Sequence, residues 1–379
     1  MSEAAIPSAR AGDTRGEALR AVAAQFQFRG QAMDFVPYGN GHINDTYLVT
    51  CLATCNGASA PARYILQHVN RNVFHAPAAL MQNIERVTAH LSAQLAGEPD
   101  RERRALTLIS ARDGRNWYED AQGETWRAYR FIENAHSHET ATSAEQAYQA
   151  AHAFGCFQQQ LASLPSPRLR ETIPDFHHTP RRFAALQQAI AADVKGRAKL
   201  AKPEIDFALA RESITGVLLE ANLPERITHN DTKFNNVLLD DATGESLCVV
   251  DLDTVMPGLA LYDFGDMVRT TTSPAAEDEQ DLSKVVMQFP LFEGLVRGYL
   301  SAAGEFLTTA EKKFLAFSGK LITFEIGIRF LTDYLAGDTY FKIHREGHNL
   351  DRCRTQFKLV QSIESEEEKM NRLVESIAG

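Results

Sequence analysis

Two short apolar segments that each deliver polar side chains to a turn constrain this chain more than any other feature. The segments lie within Ile227–Asp240 and Leu247–Asp253, and their β-branched residues indicate strands. The turns carry His229, Asp231, Lys233, Asn235, Asn236, Asp251 and Asp253. Carboxylates, an amide and a lysine are the groups that metal-assisted phosphoryl transfer uses to orient a hydroxyl, hold Mg²⁺ and offset phosphate charge. The sequence therefore predicts a phosphoryl-transfer site here.

The spacing within the turns gives a separate task to each polar residue. Asp231 and Asn236 are five positions apart in a segment that leaves one strand and turns back, so both side chains can face one cavity. Asp231 then orients or deprotonates an acceptor hydroxyl, and Lys233 stabilises charge on the transferred group. Asn236 and Asp251 offer the oxygen ligands that Mg²⁺ prefers, whereas His229 is expected to brace the turn. The alternative is a polar hairpin with coincidental acids.

The composition indicates a soluble globular protein of two lobes. At 379 residues, with 44% hydrophobic and 23% charged residues, the chain is too long for one average domain. Its net charge of −10 argues against a nucleic-acid surface. No apolar run approaches a membrane span, and residues 1–25 lack the apolar centre of a signal peptide. The five cysteines form neither a CxxC pair nor a disulfide framework, so buried thiols in a reducing cytoplasm are expected. The sequence leaves the oligomeric state open between monomer and homodimer.

A glycine hairpin near the N-terminus can close over phosphates. Two apolar runs flank a turn formed by Gly39, Asn40 and Gly41, and glycine lets backbone N–H groups approach phosphate oxygens. The third glycine of a kinase-type glycine loop is absent, because Asn44 occupies that position. Asn40, His42 and Asn44 can supply side-chain donors to phosphates instead. An ordinary hairpin is the alternative for so short a motif.

A small antiparallel sheet is expected to complete the nucleotide-binding part of the chain. Strands are expected over Arg63–Val69, Leu106–Ser110, Trp117–Tyr118 and Trp126–Ile132, and helices over Arg15–Phe28 and Ala78–Leu95. Gln67 occupies the neighbourhood in which a kinase carries a phosphate-binding lysine. The composition shift after Phe131 and Glu133 indicates a hinge at which adenine would bind through backbone groups. We therefore expect a flexible tail over residues 1–14, a nucleotide-binding lobe over 15–133 and a catalytic, substrate-binding lobe over 134–379.

An Asp-Phe-Gly tripeptide at Asp263 is a second candidate for the metal site. In a protein kinase the metal aspartate follows the strand directly after the catalytic loop, and that position here is Asp251. Pro257, Gly258 and helical residues precede Asp263 instead. We therefore expect Asp263 to accept backbone N–H groups of the catalytic loop or to cap the following helix.

The C-terminal part of the chain is expected to be mainly helical and to bind the acceptor. Helices are expected over Ala144–Leu161, Thr179–Ala192, Pro203–Ala221, Lys284–Leu300 and Ala310–Tyr334. The polar, proline-containing segment Ile173–Arg182 is either a ligand-binding loop or a surface turn. Arg329 and Asp333 are four apart on one helix face and form either an ion pair or part of a binding site. Tyr340 and Phe341 add aromatic surface, a combination that suits a sugar.

Several of these segments together resemble a known family. His229-Asn-Asp-Thr-Lys-Phe-Asn-Asn236, Val250-Asp-Leu-Asp253 and Leu261-Tyr-Asp-Phe-Gly-Asp266 are similar to motifs of the aminoglycoside phosphotransferase superfamily of small-molecule kinases. Further segments resemble the N-acetylhexosamine 1-kinase family: Gly39-Asn-Gly-His-Ile-Asn-Asp-Thr-Tyr47, Ile65-Leu-Gln67, Thr254-Val-Met-Pro-Gly258, Arg329-Phe-Leu-Thr-Asp-Tyr334 and Asp338-Thr-Tyr-Phe-Lys342. The resemblance implies an α+β, bilobal protein-kinase-like fold with a mostly antiparallel N-terminal sheet and a larger helical lobe.

The resemblance also implies a reaction and a set of site residues. The reaction is phosphorylation of the anomeric hydroxyl of N-acetylglucosamine or N-acetylgalactosamine by ATP with Mg²⁺. By motif position, Asp231 is the base, Asn236 and Asp251 are metal ligands, and Arg329 and Tyr340 contact the sugar beside Lys233. Two alternatives stay open: a kinase of the same fold with an amino alcohol, an aminoglycoside or another sugar as acceptor, and a nucleotide-binding protein without catalysis.

Overall fold

The computed structural model of the chain describes residues 11–39, 43–55 and 58–378. The chain divides into two compact units between Glu133 and Asn134. Three positions that the sequence assigns to the glycine hairpin, Asn40, Gly41 and His42, lie outside the described residues.

Unit 1 is an antiparallel sheet with short helices. Its elements are α1 (Ala11–Ala23), β1 (Gln31–Pro37), β2 (Asp45–Cys55), β3 (Ala58–Val69), α2 (Pro77–Gln94), α3 (Arg101–Arg104), β4 (Tyr118–Glu119) and β5 (Thr125–Arg130). The five strands lie in the order β1-β2-β3-β5-β4, and every neighbouring pair is antiparallel. Because successive strand side chains point to opposite faces, Tyr47, Val49 and Cys51 are buried on one face, where they pack with Leu66 and with Phe26.

Unit 2 is mainly helical. Its elements are β6 (Ala135–His136), α4 (Ala144–Leu161), α5 (Thr179–Ala192), α6 (Lys202–Leu209), α7 (Val217–Glu220), β7 (Arg226–Thr228), β8 (Val237–Asp240), β9 (Ser246–Val249), β10 (Met256–Gly258), α8 (Ala260–Thr271), α9 (Phe289–Ala303), α10 (Thr309–Lys313), α11 (Leu315–Ala336) and α12 (His348–Ala378). Two small sheets, β6-β8-β9 and β10-β7, lie among these helices.

Helix α11 is the central element of the unit 2 core. It packs against α8, α12 and α5, and most of its side chains are buried on all faces. Close approach to α8 depends on glycine, because a Cβ at Gly265 would lie 2.5 Å from the carbonyl oxygen of Ser318 and one at Gly319 would lie 2.6 Å from Val268. The glycine of the Asp-Phe-Gly tripeptide therefore serves helix packing.

Several predicted element boundaries are wrong, for identifiable reasons. The first helix begins at Ala11, inside the predicted tail over residues 1–14. The predicted strand at Leu106–Ser110 is reduced to one bridge between Leu108 and Tyr129. Helix α9 begins only at Phe289, because Pro290 favours the first turn of a helix. The helix expected over Ala310–Tyr334 is divided at Phe314, where α10 ends, and the one over Pro203–Ala221 is likewise interrupted.

Every helix within the described ranges is too short or too polar to cross a lipid bilayer.

Candidate active site

The catalytic loop, residues 229–236, connects β7 to β8. It begins where β7 ends at Thr228, and it closes with a 3₁₀ turn at Phe234–Asn236 that leads directly into β8. Strand β10 pairs with β7 so that Met256 lies opposite Thr228. The loop is thus held between two small sheets of unit 2.

Two carboxylates of α8 hold the backbone on both sides of Asp231. Asp263 is fully buried and accepts the N–H of His229 at 2.9 Å and that of Asn230 at 2.7 Å. Asp266 accepts the N–H of Thr232 at 2.9 Å. The prediction that Asp263 accepts loop N–H groups is confirmed, and the tripeptide aspartate is a scaffold for the loop.

Asn230 sets the direction in which Asp231 points. Its φ of +64° lies in the left-handed region, which asparagine tolerates better than most residues. The side chain accepts from the Thr228 hydroxyl at 3.0 Å and donates to the Thr254 carbonyl at 2.8 Å. The Asn230 N–H also donates to Asp263. These three hydrogen bonds stabilise the strained backbone conformation of Asn230.

Asp231 and Lys233 form an ion pair in the loop. Lys233 Nζ lies 2.9 Å from Asp231 Oδ1, and the two side chains are 46% and 23% exposed. Burial favours the neutral form of Asp231, but the charge of Lys233 and its hydrogen bond, aided by His229 and Arg269, hold the pKa of Asp231 below its ordinary value. The charge of Asp231 in turn raises the pKa of Lys233. Asp231 is therefore ionised at neutral pH, as a proton acceptor must be.

Asn236 and Asp251 lie at the same end of the β8–β9 hairpin. The N–H of Val250 donates to the carbonyl of Asn236 at 2.9 Å, which places Asp251 one residue beyond the bridge. Asn236 Nδ2 donates to the Asp231 carbonyl at 2.8 Å, so its Oδ1 is the atom that can face a cation. Asp251 is exposed and has a φ of +59°. These residues supply the hard oxygen ligands that suit Mg²⁺.

The His229 side chain connects the catalytic loop to the end of the β8–β9 hairpin. Its Nε2 lies 2.9 Å from the carbonyl oxygen of Val250, so this nitrogen carries the proton and donates it. The ring is fully buried and meets Phe154 and Phe157 edge-on. His229 thus connects the loop to the residue that precedes Asp251, which is a supporting contact.

Arg329, which the sequence predicts to contact the acceptor, lies close to two aromatic rings in unit 2. Its guanidinium carbon is 5.2 Å from the centroid of Phe176 and 5.8 Å from that of Phe341. Within the described ranges no carboxylate lies close enough to form an ion pair with Arg329. The ion pair with Asp333 that the spacing allowed is thus not formed. Tyr340, in the loop that follows α11, is 63% exposed.

One histidine connects the surroundings of Arg329 to the catalytic loop. His177, adjacent to Phe176 in sequence, is buried, and its Nε2 lies 3.4 Å from the carbonyl oxygen of Asn230. A chain of contacts therefore runs from Arg329 through Phe176 and His177 to the residue that precedes Asp231. The segment Ile173–Arg182, which the sequence left open between a binding loop and a surface turn, contributes to this chain of contacts.

In unit 1, the residues predicted to bind nucleotide are mostly engaged with their own sheet. Gln67 Nε2 donates to Thr46 at 3.0 Å, and its Oε1 accepts from Arg127 at 2.9 Å. Gly39 has a φ of +76°, which only glycine adopts readily. Asn44 Oδ1 accepts the N–H of Asn70 at 3.0 Å.

The predicted hinge residues Phe131 and Glu133 both contact the side chain of Arg63. The Arg63 guanidinium lies 4.4 Å from the Phe131 ring centroid and pairs with the Glu133 carboxylate. The Phe131 N–H donates to the Arg63 carbonyl at 3.1 Å, whereas the Glu133 carbonyl accepts from Arg103.

Sequence reasoning missed three residues that shape these regions. Arg127 is only 1% exposed and lies opposite Gln67 in the sheet. The positive charge next to Gln67 therefore comes from Arg127 on the neighbouring strand β5. Asp266 and His177 were likewise overlooked. A buried arginine in an apolar strand, and an acid one helical turn after Asp263, were the signals available.

A separate cavity of about 370 Å³ in unit 2 is lined by other residues, among them His136, His138, Glu145, Asp241 and Glu245. It includes none of the catalytic-loop side chains.

The sequence model of the APH phosphotransferase enzyme family matches residues 34–296, well over half of the chain. The chain belongs to this family. The matched region contains the glycine hairpin, the catalytic loop and α8, whereas Arg329, Tyr340 and Phe341 lie beyond its last residue.

Solved structures show the same fold at low sequence identity. An aminoglycoside phosphotransferase from Alicyclobacillus acidocaldarius is 13% identical, with a TM-score of 0.62 over 99% of this chain and 98% of that one. A microcompartment-associated aminopropanol kinase is 16% identical, with a TM-score of 0.56 over 94% and 98% of the two chains. A choline kinase from Cryptosporidium parvum is 14% identical, with a TM-score of 0.55 over 96% and 99%. The α+β, protein-kinase-like fold expected from the sequence is confirmed.

Proposed function

We propose that this phosphotransferase transfers the γ-phosphoryl group of ATP to the anomeric hydroxyl of an N-acetylhexosamine. The observation that carries the choice of acceptor is the Arg329 guanidinium, which lies close to the rings of Phe176 and Phe341 without a carboxylate partner among the described residues. A guanidinium donates bidentate hydrogen bonds to hydroxyl or amide oxygens, and aromatic rings accept the C–H face of a sugar. The positive charge of Arg329 would repel the ammonium group of an amino alcohol or an aminoglycoside.

In this mechanism the catalytic loop mainly positions the reactants. Asp231 accepts the hydroxyl proton of the sugar as the oxygen–phosphorus bond forms and the bond to ADP breaks. Lys233 is released from its ion pair with Asp231 when charge grows on the transferred group, and donates to the oxygens of that group. Arg329 and Tyr340 orient the sugar, which raises the fraction of bound molecules that are ready to react.

The donor set of the loop fits magnesium. Asn236 Oδ1 and the Asp251 carboxylate are hard oxygen donors, and Mg²⁺ keeps several waters when it bridges phosphates. Within the described residues, no group of three or more His, Cys, Asp and Glu side chains is arranged as a metal site, which agrees with a cation held by few protein ligands. Bound Mg²⁺ would neutralise phosphate charge.

In unit 1, Gly39, Asn44, Gln67, Phe131 and Glu133 are proposed to contact the nucleotide, together with Asn40, Gly41 and His42.

The proposal is tested by measuring ADP release with a panel of free acceptors. The panel contains N-acetylglucosamine, N-acetylgalactosamine, glucose, choline, 1-amino-2-propanol and an aminoglycoside, each with ATP and Mg²⁺. Turnover of the N-acetylhexosamines, with a phosphorus NMR signal coupled to the anomeric proton of the product, is the expected result.

The control is Asp231→Asn, which should keep the nucleotide affinity and lose about 10²–10⁴-fold in turnover. Preferential turnover of choline or the aminoglycoside would overturn the choice of acceptor. Absence of ADP release with every acceptor would favour a nucleotide-binding protein without catalysis.

A further inference from the structure

Helix α11 carries three charged residues on one face, with Arg329 between two buried carboxylates. Glu325 lies four residues before Arg329 and Asp333 lies four residues after it, so all three share a face of the helix. Glu325 is 0% exposed and Asp333 is 4% exposed. At this spacing an acid and an arginine commonly pair, and neither acid does so here.

The lone pairs of Glu325 are used by the segment that precedes and opens α5. Its Oε1 lies 2.8 Å from His177 Nδ1, and its Oε2 accepts from the Thr179 hydroxyl at 2.6 Å. Burial opposes ionisation, but the charge and hydrogen bond of His177, with a contribution from Arg329, hold the pKa of Glu325 below its ordinary value. Phe176 immediately precedes His177, so the bond to Glu325 holds the residue next to Phe176, whose own carbonyl accepts from Arg182.

The lone pairs of Asp333 are used by the loop that follows α11. Its Oδ1 accepts the backbone N–H groups of Thr339 and Tyr340, both at 2.8 Å. Its Oδ2 accepts the N–H of Phe341 and the side-chain amide of Asn349, both at 2.9 Å. A single buried carboxylate thus holds three consecutive residues, including Tyr340 and the second ring that flanks Arg329.

Each carboxylate therefore holds the segment that carries one of the two rings near the guanidinium. We propose that Glu325 and Asp333 are positioning residues that build the acceptor site around Arg329 while leaving its guanidinium without an ion pair. The proposal rests on the function proposed above, because it takes Arg329 and Tyr340 as acceptor contacts. Both acids act through other residues, and neither touches the acceptor.

The two carboxylates have different effects on turnover. Asp333 holds the loop of Tyr340 and Phe341 and also bonds Asn349 of α12, so we expect it to set the affinity for the acceptor. Glu325 also holds His177, whose Nε2 lies 3.4 Å from the carbonyl oxygen of Asn230. Loss of the Glu325 charge should therefore disturb both acceptor binding and the peptide that precedes Asp231.

The test compares Asp333→Asn, Glu325→Gln and a matched control, Glu204→Gln. Glu204 is a buried carboxylate of unit 2 that pairs with Arg354 across α6 and α12. Asp333→Asn should raise the acceptor KM about tenfold, since one charged acceptor for several N–H groups is lost, with kcat and the ATP KM within about twofold. Glu325→Gln should raise the acceptor KM and also lower kcat. Glu204→Gln should lower Tm alone.

A lower Tm for Asp333→Asn with an unchanged acceptor KM would show a purely structural role and overturn the proposal. Equal KM and kcat effects in the Asp333 and Glu325 variants would overturn the assigned division between them. If Asp333→Asn does not fold, Asn349→Ala removes one of the bonds to the same carboxylate and should raise the acceptor KM several-fold. An unchanged KM in that variant would again contradict the proposal.

These kinetics are measured with whichever acceptor of the panel the wild-type protein uses best. If that acceptor is not an N-acetylhexosamine, the proposed function fails while the comparison of the three variants still reports on the role of α11.

Discussion

The carboxylate of Asp263 accepts the backbone N–H of Asn230 at 2.7 Å, next to the residue that would accept the substrate proton. Together with the bond to His229, this contact ties helix α8 to the start of the catalytic loop. An aspartate in an Asp-Phe-Gly tripeptide thus acts on the loop backbone, whereas Asp251 is the proposed metal ligand. The two acids can be separated by experiment.

Asp263→Asn should destabilise the protein by about 2–4 kcal/mol, because an amide donor replaces an acceptor of two buried N–H groups. Turnover should fall as well, since the peptide before Asp231 loses its support. Urea unfolding followed by tryptophan fluorescence and circular dichroism measures the loss. Asp251→Asn, an exposed position, should change stability by less than about 0.5 kcal/mol and lower turnover about 100-fold or more. The reverse pattern would mean that the roles of the two aspartates have been exchanged.

Gly265→Ala should destabilise unit 2 by about 1–3 kcal/mol, because the new Cβ would meet the Ser318 carbonyl oxygen at 2.5 Å and Ile322 at 2.7 Å. The matched control is Gly16→Ala in α1, where nothing lies within 4 Å and the change should stabilise the helix by up to about 1 kcal/mol. Thermal unfolding of the two variants gives opposite shifts in Tm. A neutral Gly265 variant would show that α8 and α11 can separate at little cost.

The ionisation of Asp231 should depend on Lys233. Because the folded-state pKa of Asp231 lies below its ordinary value of 3.8, its charge stabilises the fold above that pH and this contribution is lost as pH falls through the lower value. In Lys233→Met, burial becomes the dominant influence, so the pKa of Asp231 rises and the acid limb of the kcat/KM profile moves to higher pH. Lys202→Met removes an exposed lysine and is the control. An unmoved acid limb would show that Lys233 does not control the ionisation of Asp231.

Gln67→Lys should not restore a kinase-like phosphate contact. Gln67 Oε1 accepts from Arg127, which is 1% exposed, and a lysine would replace this acceptor with a second positive charge. A loss of about 2 kcal/mol in stability is expected, with no gain in ATP affinity. Thermal unfolding and nucleotide titration measure both quantities. A variant that binds ATP more tightly at unchanged Tm would show that Arg127 tolerates a neighbouring cation.

Local sequence was sufficient for part of the site. Asp231, Lys233, Asn236 and Asp251 lie close together because two short strands and their turns bring them together within about two dozen residues, and such turns depend on nearby residues. The role of Asp263 could also be reasoned out, because its position after Pro257 excluded it from the strand end.

Boundaries of helices in unit 2 were harder to predict. The capping box of Thr308 and Glu311 begins α10, which ends before Phe314, and the side chain of Glu311 also pairs with Arg226, 85 positions away in sequence. Apolar periodicity continues across such a break, so the pattern alone extends one helix through it.

The sequence by itself determined that Asp231, Lys233, Asn236 and Asp251 lie in two neighbouring turns, because their short spacing is sufficient to bring them together. Only the tertiary structure decided that Arg329 has no ion pair with Asp333. Spacing on a helix brings an acid and a base within reach, but the partner that each one takes depends on the packing of distant segments. His177 reaches Glu325 across 148 positions, and the loop of Tyr340 folds back onto Asp333. Those contacts occupy the carboxylates, and the guanidinium stays available for a ligand.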